Sequence, residues 1–171
     1  DVRPTSSIKK EAIFSIIESY GLKNNINVYD NNCCIDLFAG TGSLGLEAIS
    51  RGCAFSYFFE INIETSKILK QNCQEICKEN QYLIYQRDSL LLDLQKLKYP
   101  VSFIFIDPPY GLDLYEKIIN KIINKNYLNK NSLIIIESDK NKLFNISNKL
   151  ITINEKIYGK SKIIFLKKKL Q

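Results

Sequence analysis

Near the start of the chain, apolar residues recur at helical spacing at Ile8, Ala12, Ile13, Ile16 and Ile17. The pattern predicts an amphipathic helix that begins after Pro4-Thr5-Ser6 and ends near Gly21. Residues 21–32 are polar and rich in turn formers, and read as a connector into the core. Beyond them, apolar runs at 33–38, 55–59, 82–85, 101–106 and 133–136 read as strands. Helical patterns lie between them at 44–50, 63–78 and 114–125, with a further candidate at 90–97. Such alternation is the mark of βαβ units, hence of a mostly parallel sheet with helices on both faces. The last two runs, 150–157 and 162–166, are separated only by Tyr158-Gly159-Lys160-Ser161. They predict an antiparallel hairpin that closes a seven-stranded sheet. Asn and Lys enrichment at 120–131 and 140–149 reads as compositional bias laid over helices.

Composition sharpens this α/β picture. The 171 residues are 45% hydrophobic, enough for one domain over 1–171, with a helical segment at 1–21 leading into a core at 32–171. A separate substrate domain has almost no room. No apolar run approaches the ~20 residues needed to cross a bilayer, and the first residues lack the apolar stretch of a signal peptide. A cytoplasmic protein without a membrane partner is expected. The chain starts at Asp1 and contains no Met, so upstream sequence is expected as well. Net charge is +6, and residues 140–171 hold nine Lys against the single acid Glu155. That excess fits a phosphate-facing surface or a solvated lysine-rich face. The cysteines Cys33, Cys34, Cys53, Cys73 and Cys77 form no Cys-x-x-Cys pair, and there is no His. Reduced, mostly buried thiols are expected rather than a metal site, and histidine acid–base chemistry is excluded.

The chemistry concentrates at predicted strand ends. The first strand runs through Asp36 into Phe38-Ala39-Gly40-Thr41-Gly42 and a helix containing Gly45. Formally Gly40, Gly42 and Gly45 spell the glycine pattern of dinucleotide sites, with Glu60 placed twenty residues after Gly40. Four carboxylates, Asp36, Glu60, Asp88 and Asp107, stand at successive strand ends and converge on the carboxyl edge of such a sheet. That convergence disfavours a phosphate-rich ligand. S-adenosylmethionine fits better, with its sulfonium, ammonium, ribose diol and adenine amine. Glu60, followed by Ile61, would accept from the ribose hydroxyls; Asp88, followed by Ser89, from the adenine amine; and Asp36 would orient the amino-acid end. After the fourth strand comes Asp107-Pro108-Pro109-Tyr110. The prolines hold the Asp carboxylate and a proline carbonyl in place to grip the two hydrogens of an amine, and Tyr110 offers a flat face to an unstacked base.

The segment from Asp36 to Gly52, the strand ending in Glu60, Asp107-Pro-Pro-Tyr110 and the leading Arg3-Pro4-Thr5 together resemble the RsmD-like bacterial methyltransferases. The resemblance covers essentially the whole chain. It implies a Rossmann-like class I methyltransferase fold and methylation of guanine N2 in small-subunit ribosomal RNA, free or in an assembly intermediate. It places RNA contacts on Arg3, Thr5, Lys9 and Lys10. After Arg-Pro-Thr the family typically carries Thr-Asp-Arg, where this chain has Ser6, Ser7 and Ile8. An adenine-N6 DNA methyltransferase uses the same Asp-Pro-Pro-Tyr chemistry but normally adds a target-recognition domain. A non-catalytic RNA-binding module of the same fold is a further alternative, which the intact motifs oppose. The expectation is an enzyme that binds S-adenosylmethionine, needs no metal and acts as a monomer.

Overall fold

A computed structural model describes residues 7–109 and 111–170. In chain order the elements are α1 (Ser7–Asn24), β1 (Cys33–Asp36), α2 (Ser43–Ser50), β2 (Phe55–Phe59), α3 (Ile63–Ile76) and β3 (Tyr82–Tyr85). Then follow β4 (Val101–Ile106), α4 (Tyr115–Asn124), β5 (Leu133–Asp139), β6 (Leu150–Tyr158) and β7 (Ser161–Lys168). The strands form one seven-stranded sheet in the order β3-β2-β1-β4-β5-β7-β6. The first five are parallel, while β7 runs antiparallel to both β5 and β6. The path reverses between β1 and β4, which puts the crevice of a doubly wound sheet beside β1.

Both faces of the central strands are buried, so their sequences are continuous apolar runs sorted only by parity. Ile35, Tyr57, Ile104 and Ile134 face the layer that contains α4. Cys34, Phe103, Phe105 and Ile135 face α1 and α2, and Phe58 packs against Leu46 and Leu69. Gly45 is the contact point of α2 with the sheet, since a Cβ there would run into the Phe58 ring. Its carbonyl accepts from Ser56 Oγ at 2.9 Å and its N–H donates to Asp36 Oδ2 at 3.2 Å. Helix packing and the orientation of Asp36 are therefore one construction.

The pattern-based reading differs from the structure in three places. Helix α1 continues past Gly21 to Asn24, because a glycine there lets Ile26 and Val28 approach closely. Residues 90–97 form no α-helix: after a short 3-10 turn at Ser89–Leu91, Leu92 and Leu94 are buried while Leu91 and Asp93 are exposed. That period of two belongs to extended chain, held where the Leu94 N–H donates to Tyr127 Oη at 2.6 Å. Residues 140–149 are not helical either. A turn at Asp139–Lys142 opens the segment, and Phe144 stacks on Tyr115 at 4.7 Å between ring centroids. Four cysteines are buried and Cys77 is half-buried; all five are free thiols. Burial pushes the Cys33 and Cys73 thiols up to about 12.

Candidate active site

The loop after β1 climbs over the carboxyl edge of the sheet and turns into α2. The Ala39 N–H donates to the Phe59 carbonyl at 2.9 Å and the Gly42 N–H to the Ala39 carbonyl at 2.8 Å. Gly40 and Gly42 hold φ values of 58° and 96°, backbone that side chains disfavour. Glu60 closes this loop onto the end of β2: Oε1 accepts from the Gly40 N–H and Oε2 from the Asn62 N–H, each at 2.9 Å. Each oxygen keeps acceptor capacity for a further donor. The result is a carboxylate fixed by backbone on the rim of a cleft of about 820 Å³.

Asp36 lies at the floor of that cleft and is buried. Burial pushes its carboxyl up to about 7, with the charge of Glu60 adding to the rise; the N–H groups of Gly45 and Phe38 oppose it. Asp88 caps the 3-10 turn after β3 by accepting from the Leu90 N–H at 2.8 Å. The Ser89 hydroxyl donates to the Leu37 carbonyl and ties that turn to the end of β1. The lining carries four carboxylates, from Asp36, Glu60, Asp88 and Asp107, and no Lys or Arg among the described residues.

Asp107, Pro108 and Pro109 form the wall between this cleft and a second pocket of about 130 Å³. The Leu112 N–H donates to the Pro109 carbonyl at 3.4 Å. The far side of the small pocket is built by Tyr115, Glu137, Ser138, Asp139 and Lys142. Tyr115 Oη donates to the Glu137 carbonyl at 3.2 Å, and burial, with the charges of Asp107 and Glu137 behind it, pushes its hydroxyl up to about 12. Among the described residues no group of three His, Cys, Asp or Glu side chains is placed to hold a metal ion. No described helix is long and apolar enough to cross a membrane.

A family model described as conserved hypothetical protein 95 matches residues 1–167. The chain is 40% identical to the ribosomal RNA small subunit methyltransferase D of Buchnera aphidicola over 141 residues, 82% of this chain and 69% of that one. It belongs to the small-subunit ribosomal RNA methyltransferase D family. The corresponding Haemophilus influenzae methyltransferase is 33% identical over 82% of this chain and 70% of its own. A solved putative methyltransferase of Escherichia coli superposes with a TM-score of 0.82 at 25% identity, over 100% of this chain and 92% of that one. The fold is that of the Rossmann-like class I methyltransferases, and methyl transfer to ribosomal RNA is the activity of the family.

For this member of the methyltransferase D family, most residues singled out in the sequence meet at one edge. Phe38, Ala39, Gly40, Thr41, Ile61 and Ser89 line the large cleft together with the four acids. Gly42 does not line it: a Cβ there would meet Leu69 at 2.6 Å, so this glycine serves the packing of the loop on α3. Lys9, expected to face phosphate, turns inward; its side chain is 12% exposed and pairs with Glu137 at 2.5 Å. Lys10 stays half-buried on the same first turn of α1. Arg3, Thr5 and Tyr110 lie outside the described residues. The C-terminal lysines divide. Antiparallel pairing of β5 with β7 puts Lys140 and Lys160 at the site edge, whereas Lys167 pairs with Leu133 at the opposite edge. Sequence reasoning missed Leu112 and Leu114, which carry no motif, and Glu137, which the strand-end rule would have found had it been carried one strand further.

Proposed function

We propose that this chain transfers the methyl group of S-adenosylmethionine to the exocyclic N2 amine of a guanine in small-subunit ribosomal RNA, with residues 1–171 acting as one domain. The observation that carries the cofactor assignment is the large cleft lined by four carboxylates and no cation among the described residues. Such a lining repels pyrophosphate and suits a cationic ligand with many donors. Glu60, already oriented by two backbone N–H groups, accepts from the ribose hydroxyls. Asp88 accepts from the adenine amine, and Asp36 holds the ammonium end. Bound there, S-adenosylmethionine supplies an electrophilic methyl on a cationic sulfur.

The remaining work falls to the wall between the two pockets. A nucleobase amine is a poor nucleophile because its lone pair is delocalised into the ring. The Asp107 carboxylate and the Pro108 carbonyl accept its two hydrogens, favour a pyramidal nitrogen and free the lone pair for in-line attack. The amine reaches this wall only if the base leaves its stack, and Tyr110 supplies a surface for the extruded ring. Phosphate contacts come from Lys10, Lys140 and Lys160, with Arg3 and Thr5 ahead of α1, on free RNA or an assembly intermediate. The protein works as a cytoplasmic monomer without metal.

Nucleoside mass spectrometry after incubation of small-subunit RNA with the protein and labelled cofactor tests this reading. N2-methylguanosine is expected. N6-methyladenosine, or methylation of DNA in preference to RNA, would promote the adenine reading, and failure to bind cofactor in calorimetry would leave only an RNA-binding module.

A further inference from the structure

Glu137 lies near the carboxyl end of β5, is 7% exposed, and lines the small pocket opposite Asp107 and the prolines. Its Oε1 accepts from Lys9 Nζ at 2.5 Å. Its Oε2 is buried and has no hydrogen-bond partner among the described residues. A buried ion pair alone accounts for one oxygen. The other is a buried acceptor that the ion pair leaves unmatched, which native structures rarely tolerate without a reason.

The chemistry of the bases suggests what fills it. On the Watson–Crick edge of guanine the N2 amine stands beside N1–H, so two donors are adjacent. On the edge of adenine the N6 amine stands beside N1, which carries a lone pair. With an amine held at Asp107 and the Pro108 carbonyl, a carboxylate across the same small pocket would gain a hydrogen bond from guanine and face lone-pair repulsion from adenine. The ion pair with Lys9 Nζ anchors this carboxylate from its far oxygen. We propose that Glu137 is the specificity-determining residue for the base, accepting N1–H of the guanine whose N2 is methylated. This rests on the guanine-N2 reading above and adds the group that distinguishes it from the adenine alternative.

The test replaces the mapped target guanosine in small-subunit RNA, free or reconstituted into particles, by 2-aminopurine riboside. That base keeps the 2-amino group but carries a lone pair at N1. The wild-type protein is expected to lose about 10- to 100-fold in kcat/KM on this substitution, the scale of leaving a buried acceptor unpaired. In Glu137→Gln the amide can turn either its oxygen or its NH₂ toward N1, so the loss should shrink to about threefold or less. Since this change removes the negative charge paired with Lys9, the Lys9→Met/Glu137→Gln double variant is measured beside it, with circular dichroism as the check on folding. A purely structural Glu137 would lower turnover on both bases alike. Equal discrimination in wild type and variants, or none in the wild type, would overturn the role of Glu137 while N2-methylguanosine still forms. N6-methyladenosine from the wild type would overturn the guanine reading and this inference with it.

Discussion

The two pockets that share the Asp107-Pro108-Pro109 wall are built by opposite means. The large cleft is assembled from short motifs at strand ends: a glycine loop, carboxylates, and backbone N–H groups that fix Glu60 from positions 40 and 62. The small pocket depends on contacts far apart in the chain, with Lys9 on the first turn of α1 meeting Glu137 across 128 positions. A cofactor of constant shape can be met by local motifs. A base delivered by a large RNA is read by whatever the tertiary fold brings to the edge. The cleft is therefore written in short motifs at successive strand ends, and the far side of the small pocket in long-range packing.

The sharpest way to break this division is at the shared wall. Asp107→Ala should lower methyl transfer by a hundredfold or more, roughly the scale of removing one preorganised electrostatic group from a transition state. Cofactor affinity, read by calorimetry, should stay within about threefold. A parallel loss of cofactor binding would show that the wall belongs to the cleft and not to both pockets.

Next in size is Glu60→Ala, which removes an acceptor for two ligand hydroxyls and unties Gly40 from β2. Cofactor binding should weaken by about 1–3 kcal/mol. Single-turnover transfer at saturating cofactor should change far less. Unchanged affinity would refute the role given to Glu60.

The pH dependence of the cleft comes third. The Asp36 carboxyl sits at about 7 when folded, against 3.8 for a free side chain. Between those values the native state holds a proton that the unfolded state has lost, so this group makes folding stability fall as pH rises from about 4 to about 7 and adds no slope above. An ammonium placed against Asp36 favours the ionised form. Cofactor affinity should therefore rise with pH toward about 7, and binding at pH ~6 should release a proton, visible as a buffer-dependent calorimetric heat. Absence of proton release, or the same pH profile in Asp36→Asn, would remove the ammonium from this position.

The smallest effect concerns the RNA side. Replacing Lys140 and Lys160 together by Ala should weaken RNA binding a few-fold and lower its salt dependence by about 1–2 in log–log slope. Lys167→Ala and Lys168→Ala, at the opposite edge, should leave both nearly unchanged. If the far-edge pair mattered as much, the RNA would have to wrap around the sheet.

The same contrast explains what the sequence makes legible. All seven strands can be found from apolar runs, because central strands buried on both faces leave no polar alternation to confuse them. The cleft is legible because glycines, prolines and carboxylates there are required by backbone geometry and charge. Residues 90–97 mislead because their leucines fit a helical period as well as the alternate burial of Leu92 and Leu94. Burial chose the latter once Tyr127 and Tyr57 had bonded to the chain at Leu94 and Lys98. Lys9 misleads for a related reason. A lysine beside Lys10 on an exposed first turn reads as solvent-facing, and only the neighbouring end of β5 supplies the carboxylate that turns it inward.

The seating of β7 between β5 and β6 has a consequence for how the protein is made. During synthesis β5 emerges well before residues 161–168, and until β7 arrives its hydrogen-bonding edge stays open. The far side of the small pocket, at Glu137 through Asp139, pairs with Ile163 through Ser161 and so waits for those residues to leave the ribosome. The nascent chain can shape its large cleft early, yet it gains a finished small pocket only when translation has passed β7, so both pockets stand together only after residues 161–168 have been made.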